Sequence, residues 1–161
     1  MTRDPDRGRD ERGRARNSRP RDRLGRPLSR EQAGVAPWPD DTTLTTSESL
    51  TAAQSQLDRG WPFQAHEILE AAWKSAPGPE RALWQGLAQL AVGVTHAARG
   101  NPRGAAALLR RGRDAIEPYC DTAPHDIDVL GLLRWATSCL GLLSQARNGP
   151  VVLDPPRLRQ P

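Results

Sequence analysis

A histidine and a glutamate one helical turn apart, bracketed by two aromatic rings, are the side chains in this sequence best suited to hold a ligand. In the run PFQAHEILEAAWKS, residues 62–75, Phe63, His66, Glu70 and Trp73 recur at i, i+3, i+7 and i+10, which places them on one stripe of a helix. A His/Glu pair at i, i+4 can offer an imidazole nitrogen and a carboxylate oxygen to a single cation. Glu67 stands beside them, turned further outward. The run is not the metalloprotease signature H-E-x-x-H, because Glu70 occupies the place of the second histidine.

Further ligands must come from another element. The apolar stretch that follows carries one polar stripe, Gln85, Gln89, Val92, His96 and Arg99, at i, i+4, i+7, i+11 and i+14. Polar groups on a buried helix need partners. If this stripe faces His66 and Glu70, two readings follow. One is a structural polar network, in which His66 and Glu70 pair along the helix and the aromatics belong to the core. The other is a site in which His66, Glu70, Glu67 and His96 hold a divalent metal ion of unspecified identity, with Trp73, Gln85 and Gln89 lining a small-ligand pocket. His125, in a later loop, is a weaker candidate. No nucleophile–base pair and no phosphate-cradling glycine loop is present, so the residues name no reaction, and whether the chain is an enzyme stays open.

The elements that position these residues are helices. Thr45 and Glu48 form a capping box before a helix over 47–59. Gly60 ends it, and Pro62 opens a second helix to Ser75. A Pro77-Gly78-Pro79 loop precedes a third, from Glu80 to Arg99, on which Gly86, Gly93 and Ala97 share a narrow arc suited to close helix approach. Gly100 stops it, Asn101 caps a fourth that runs to about Tyr119, and a fifth spans Asp126 to Asn148. The turn Arg59-Gly60-x-Pro62-x-x-Ala65-x-x-x-Leu69 recurs forty residues later as Arg99-Gly100-x-Pro102-x-x-Ala105-x-x-x-Leu109. Two antiparallel hairpins require such shared turn chemistry, and a short helical repeat would show it too. The predicted fold is all-α: a small bundle of about five helices, built from two antiparallel αα-hairpins plus a C-terminal helix.

Around that domain, assigned to residues 44–149, the pattern changes. Residues 1–43 read as a disordered arginine-rich tail and linker, and residues 150–161 as an extended C-terminal tail. The first thirty residues hold 11 arginines against five acids, whereas the remainder carries 12 basic and 14 acidic residues. The helical part therefore has no basic field for nucleic acid, which leaves RNA contact to the tail alone. The longest uncharged stretch, Ala82–Ala98, is too short and too polar for a membrane span. Two unpaired cysteines and the lack of a secretory signal fit a cytoplasmic protein. Partners reduce to a small ligand at the His66 site or a protein met by a non-catalytic helical module. The solvated face of the fourth helix, with Arg103, Arg110, Arg111 and Arg113, is one such surface.

The segment Gly60-Trp61-Pro62-Phe63-Gln64-Ala65-His66-Glu67-Ile68-Leu69-Glu70-Ala71-Ala72-Trp73, followed by Trp84-Gln85-Gly86-Leu87-x-Gln89-Leu90-Ala91, His96 and Gly100-Asn101, resembles the bacterial and archaeal domain of unknown function 309. That family is marked by a His-x-x-x-Glu-x-x-Trp/Tyr motif, here His66, Glu70 and Trp73. The resemblance spans Asp58 to Tyr119 at most. It implies a small all-helical domain whose motif binds a metal, and no particular reaction. It also places a carboxylate where this chain has Gln64.

Overall fold

The computed structural model describes residues 19–39 and 42–161. Five helices account for most of them: α1 (Thr46–Asp58), α2 (Pro62–Ser75), α3 (Arg81–Ala98), α4 (Pro102–Ile116) and α5 (Val129–Gln145). Short 3-10 turns cover Gly78–Glu80, Glu117–Tyr119 and Pro124–Asp126. Among the described residues there is no strand, only isolated bridges. The chain is an all-α bundle.

The helix starts follow the local chemistry. At α1 the Glu48 N–H donates to Thr45 Oγ1 at 3.3 Å, and the Thr45 N–H donates to the Glu48 carboxylate at 2.7 Å, so two orphan donors are satisfied reciprocally. The repeated turns share one geometry. Gly60 and Gly100 both have positive φ, +74° and +81°. Trp61 N–H reaches Gln56 O and Gly60 N–H reaches Leu57 O; Asn101 and Gly100 repeat these bonds to His96 and Ala97. Each is a Schellman close, with glycine in the left-handed position. Ala65 and Ala105, then Leu69 and Leu109, are buried, so the echo positions equivalent core residues in the two hairpins.

The fifth helix departs from its sequence reading. It begins at Val129, with Asp128 rather than Asp126 accepting the Gly131 N–H at 2.9 Å. Residues Ala123, His125 and Asp126 take positive φ, so the chain turns through this loop and no continuous helix can cross it.

Helix α3 is the centre, packed on α2 at one side and α4 at the other. Its Leu83, Trp84, Leu87 and Leu90 are buried. The glycine arc lies against α4: a Cβ on Gly86 would stand 2.6 Å from Ile116 Cγ2, and one on Gly112 2.8 Å from Gly86 O. The two backbones meet where neither side has a side chain.

Both flanking segments are packed against the helices. Residues 150–161 run extended, with Leu153 and Leu158 buried. Asp128 N–H donates to Leu158 O at 2.9 Å, Leu158 N–H to Gln54 Oε1 at 2.8 Å, and the Trp135 indole to Asp154 O at 2.9 Å. Residues 19–39, read from sequence as part of the arginine-rich tail and linker, differ from that reading. Leu24 is buried, Gly25 abuts the Phe63 ring, and the segment lies against α2 and α3. Leu24, the glycine turn and Trp38 supply the apolar part of this docking, too sparse a pattern for hydrophobic periodicity to register. Residues 1–18, the rest of that tail, lie outside the described residues.

Candidate functional site

The face formed by α2 and α3 carries the motif. Helix α2 starts at Pro62, whose fixed φ suits the first turn, and it buries Ala65, Ile68 and Leu69 against the core. That orientation leaves Phe63, His66, Glu67, Glu70 and Trp73 half-buried along its flank. Helices α2 and α3 are joined by the turn at 76–80 and pack together. His66 and Gln89 stand at similar distances from that turn, which sets them level in the hairpin.

His66 lacks a close partner among the described residues. Its Nε2 lies 3.5 Å from Glu70 Oε2, beyond a good hydrogen bond. Its Nδ1 is buried without a hydrogen-bond partner, as is Gln89 Oε1. Burial holds the imidazole below its ordinary value; the Glu70 carboxylate works the other way, and Lys74 adds to the lowering. A neutral imidazole at this place has one donor and one acceptor to satisfy. Phe63 leans on it, ring centroids 5.8 Å apart.

The other candidate residues are distributed differently. The Lys74 ammonium holds Glu70 Oε1 at 3.1 Å. Glu67 Oε2 accepts the Trp38 backbone N–H at 3.3 Å. His96 Nδ1 pairs with the Asn101 side-chain amide at 2.9 Å, and Asn101 Oδ1 accepts the Gly104 N–H at 3.0 Å. His96 thus braces the α3–α4 turn, and burial, then Arg99, lowers its proton affinity. Gln85 is exposed and Trp73 packs at the core margin. The polar stripe of α3 therefore runs along an edge of the bundle, with Gln89, Val92, His96 and Arg99 half-buried.

These placements bear on a metal. Among the described residues no three His, Cys, Asp or Glu side chains gather into a group able to hold one. His66 and Glu70 supply two donors on α2, while Glu67 and His96 are engaged elsewhere. His66 and Glu70 are thus two donors where a structural zinc site takes about four, so a cation here would need further ligands.

What the face does hold is polypeptide. The Gln64 side-chain amide donates to Ala36 O, the Arg99 guanidinium donates to Leu24 O, and Glu67 takes the Trp38 N–H. The Arg21 guanidinium lies 5.7 Å from the Phe63 ring centroid. Within the segment, Asp22 Oδ1 accepts the N–H groups of Leu24 and Arg26 at 2.9 and 2.8 Å, closing the turn that presents Gly25. Gln64 and Arg99 are functional candidates that metal-ligand chemistry does not single out. The signal in the sequence is Gln64 and Glu67 at i, i+3, a polar pair beside the core-facing residues of α2.

His125 belongs to a separate cluster. Its Nε2 lies 2.7 Å from Glu80 Oε2, which also accepts the Trp84 indole N–H at 3.4 Å. These contacts tie the α4–α5 loop to the turn before α3.

No curated protein and no solved structure gives a match to this chain. No more of the chain is matched than residues 50–108, from within α1 to within α4, which are similar to the family described as Domain of unknown function (DUF309).

Proposed function

We propose that the domain is a non-catalytic helical module that binds a non-helical polypeptide segment across α2 and α3, its own residues 21–38 being the segment held in this chain. The observation that carries the reading is that three side chains of this face, Gln64, Glu67 and Arg99, each bond a backbone atom of that segment. Backbone recognition of this kind supplies affinity, and pockets for individual side chains supply selectivity. The buried Leu24, and Gly25 against Phe63, are the side-chain-specific part.

The test uses the full chain. Gly25→Val forces a branched side chain into the Phe63 ring and should release the segment. Trypsin should then cut at Arg21 and Arg23 faster than in the wild type, and a labelled peptide of residues 19–39 should bind the variant more tightly than the wild type, whose site is filled. Equal cleavage rates and equal peptide binding would remove the proposal.

A second reading has its own support. His66 Nδ1, on α2, and Gln89 Oε1, on the neighbouring α3, are both buried without a hydrogen-bond partner, and buried polar atoms without partners point to an occupant. In this reading a small polar ligand or a divalent cation sits there with Glu70. Zn²⁺ added to the full chain should raise the melting temperature, and His66→Ala should abolish the rise. An unchanged melting temperature across Zn²⁺, Mn²⁺ and Fe²⁺ counts against a cation.

A further inference from the structure

A concave surface lies away from the α2–α3 face, between α1 and the C-terminal segment. The groove has a volume of about 800 Å³ and is lined by Thr51, Ser55, Asp58, Arg59, Arg157 and Arg159, over a floor that includes Leu50 and Leu158. Three arginines thus line it together with one acidic side chain, Asp58. Arg157 stands 3.4 Å from Asp58 Oδ2. Arg159 donates to two neutral hydroxyls, Ser47 Oγ at 3.2 Å and Thr51 Oγ1 at 2.6 Å. Arg59 lies over the Trp61 ring, 4.5 Å from its centroid. Among the described residues no carboxylate comes within ion-pair distance of Arg59 or Arg159.

We infer that this groove binds a small oxyanionic ligand, a phosphate monoester carrying an apolar group. The guanidinium fork matches the oxygens of such an anion. Arg59 and Arg159 line the groove without a carboxylate partner among the described residues, and the hydroxyls of Thr51 and Ser55 add neutral hydrogen-bonding groups beside them. Leu50 and Leu158 give the apolar group a surface to cover. The preference over a bare anion follows from that floor. The site shares no residue with the α2–α3 face, so it stands or falls independently of the peptide-binding reading.

The experiment follows the arginine Nε–H resonances of ¹⁵N-labelled full-length protein during titration with phenyl phosphate, with inorganic phosphate, and with sodium chloride at matched ionic strength. Saturable shifts at Arg59 and Arg159 are expected with both phosphates, at lower concentration for phenyl phosphate, and none with chloride. Arg59→Gln combined with Arg159→Gln should weaken phenyl phosphate binding by about tenfold or more, the loss of charge-assisted hydrogen bonds. Arg110→Gln with Arg111→Gln removes the same charge from the exposed face of α4 and should leave binding unchanged. Arg159→Lys keeps the charge without the fork and should weaken binding even if the double variant fails to fold. Shifts reproduced by chloride, or an equal loss from the α4 variant, overturn the inference in favour of non-specific ion screening.

Discussion

Gly25 and the ring of Phe63 meet so closely that a Cβ on the glycine would overlap the ring, and Gly25 holds this position at φ +71°. Only glycine adopts that backbone without strain and leaves the ring its space. The contact joins the N-terminal segment to the flank of α2 beside His66. Gly25→Ala should therefore cost more than about 1 kcal/mol, the range for alanine placed at an incompatible positive φ. Urea denaturation checks this, and an unchanged midpoint would show that the segment contributes nothing to the fold.

Stability should fall in two stages as the pH is lowered. His66 has its proton affinity reduced by burial, which outweighs the opposing Glu70 carboxylate, and His96 is lowered in the same direction. The folded chain thus binds these protons less readily than the unfolded chain. Their contribution is full above the ordinary imidazole value of roughly 6.5, declines below it, and levels off under the folded pKa values. The carboxyls of Asp22, Glu48 and Glu80 are also lowered. Glu80 owes its shift mainly to the His125 hydrogen bond and Glu48 to the Thr45 capping bonds. At Asp22, burial opposes the shift, and the Arg26 and Leu24 hydrogen bonds overcome it. Their contribution is full above the usual carboxylate range of roughly 4 to 4.5 and is lost as the pH falls through their lowered values. Melting temperature against pH measures both stages. An NMR titration of His66 with its midpoint at or above 6.5 would contradict the first.

The surroundings of two helical glycines predict opposite signs for their substitution. Gly86→Val drives a side chain into Ile116 and the Gly112 backbone and should destabilise by about 1–3 kcal/mol, the usual cost of overpacking. Gly141, in α5, has nothing within 4 Å of the place a Cβ would take. Gly141→Ala should stabilise by about 0.5–1 kcal/mol through helix propensity alone. Guanidinium denaturation of the two variants side by side decides it; equal effects would mean that the helices do not meet at Gly86.

Asn101→Ala removes the cap on Gly104 N–H and the partner of His96 in one step. A loss of about 1 kcal/mol is expected for the cap. Asn101→Asp keeps the cap acceptor and should recover most of that loss, whereas no difference between the two variants would assign the effect to something other than capping.

The two cysteines should separate by reactivity. Cys139 is buried, and burial, with a smaller contribution from Asp154, pushes its thiol up to about 11. Cys120 is half-buried. At pH 8 a thiol reagent should modify Cys120 first, with Cys139 reacting only as the chain unfolds. Simultaneous labelling in native buffer would place Cys139 nearer the surface than it stands here.

Helix positions were legible because their causes are local. The Thr45–Glu48 box, the glycine stops at 60 and 100, Pro62, Pro102 and Asn101 each act within a few residues of themselves, and the glycine arc of α3 announced a close neighbour. The start of α5 was not legible, since Asp126 and Asp128 offer the same cap and only the path of the preceding loop chooses between them. At the site, the stripe of Phe63, His66, Glu70 and Trp73 followed from helical spacing. Which groups engage Glu67, His96 and Gln64 did not, because those partners, Trp38, Asn101 and Ala36, come from the N-terminal segment or an adjoining turn.

Sequence alone determined the all-α architecture, the hairpin turns and the identity of the motif residues, since hydrophobic periodicity and capping are read off neighbours along the chain. Tertiary structure decided what the motif face meets: residues 21–38 lie over it, His96 turns to Asn101, and Arg59, Arg157 and Arg159 gather in one groove. Each of these joins groups whose approach depends on how the whole bundle closes, and no short-range pattern encodes that.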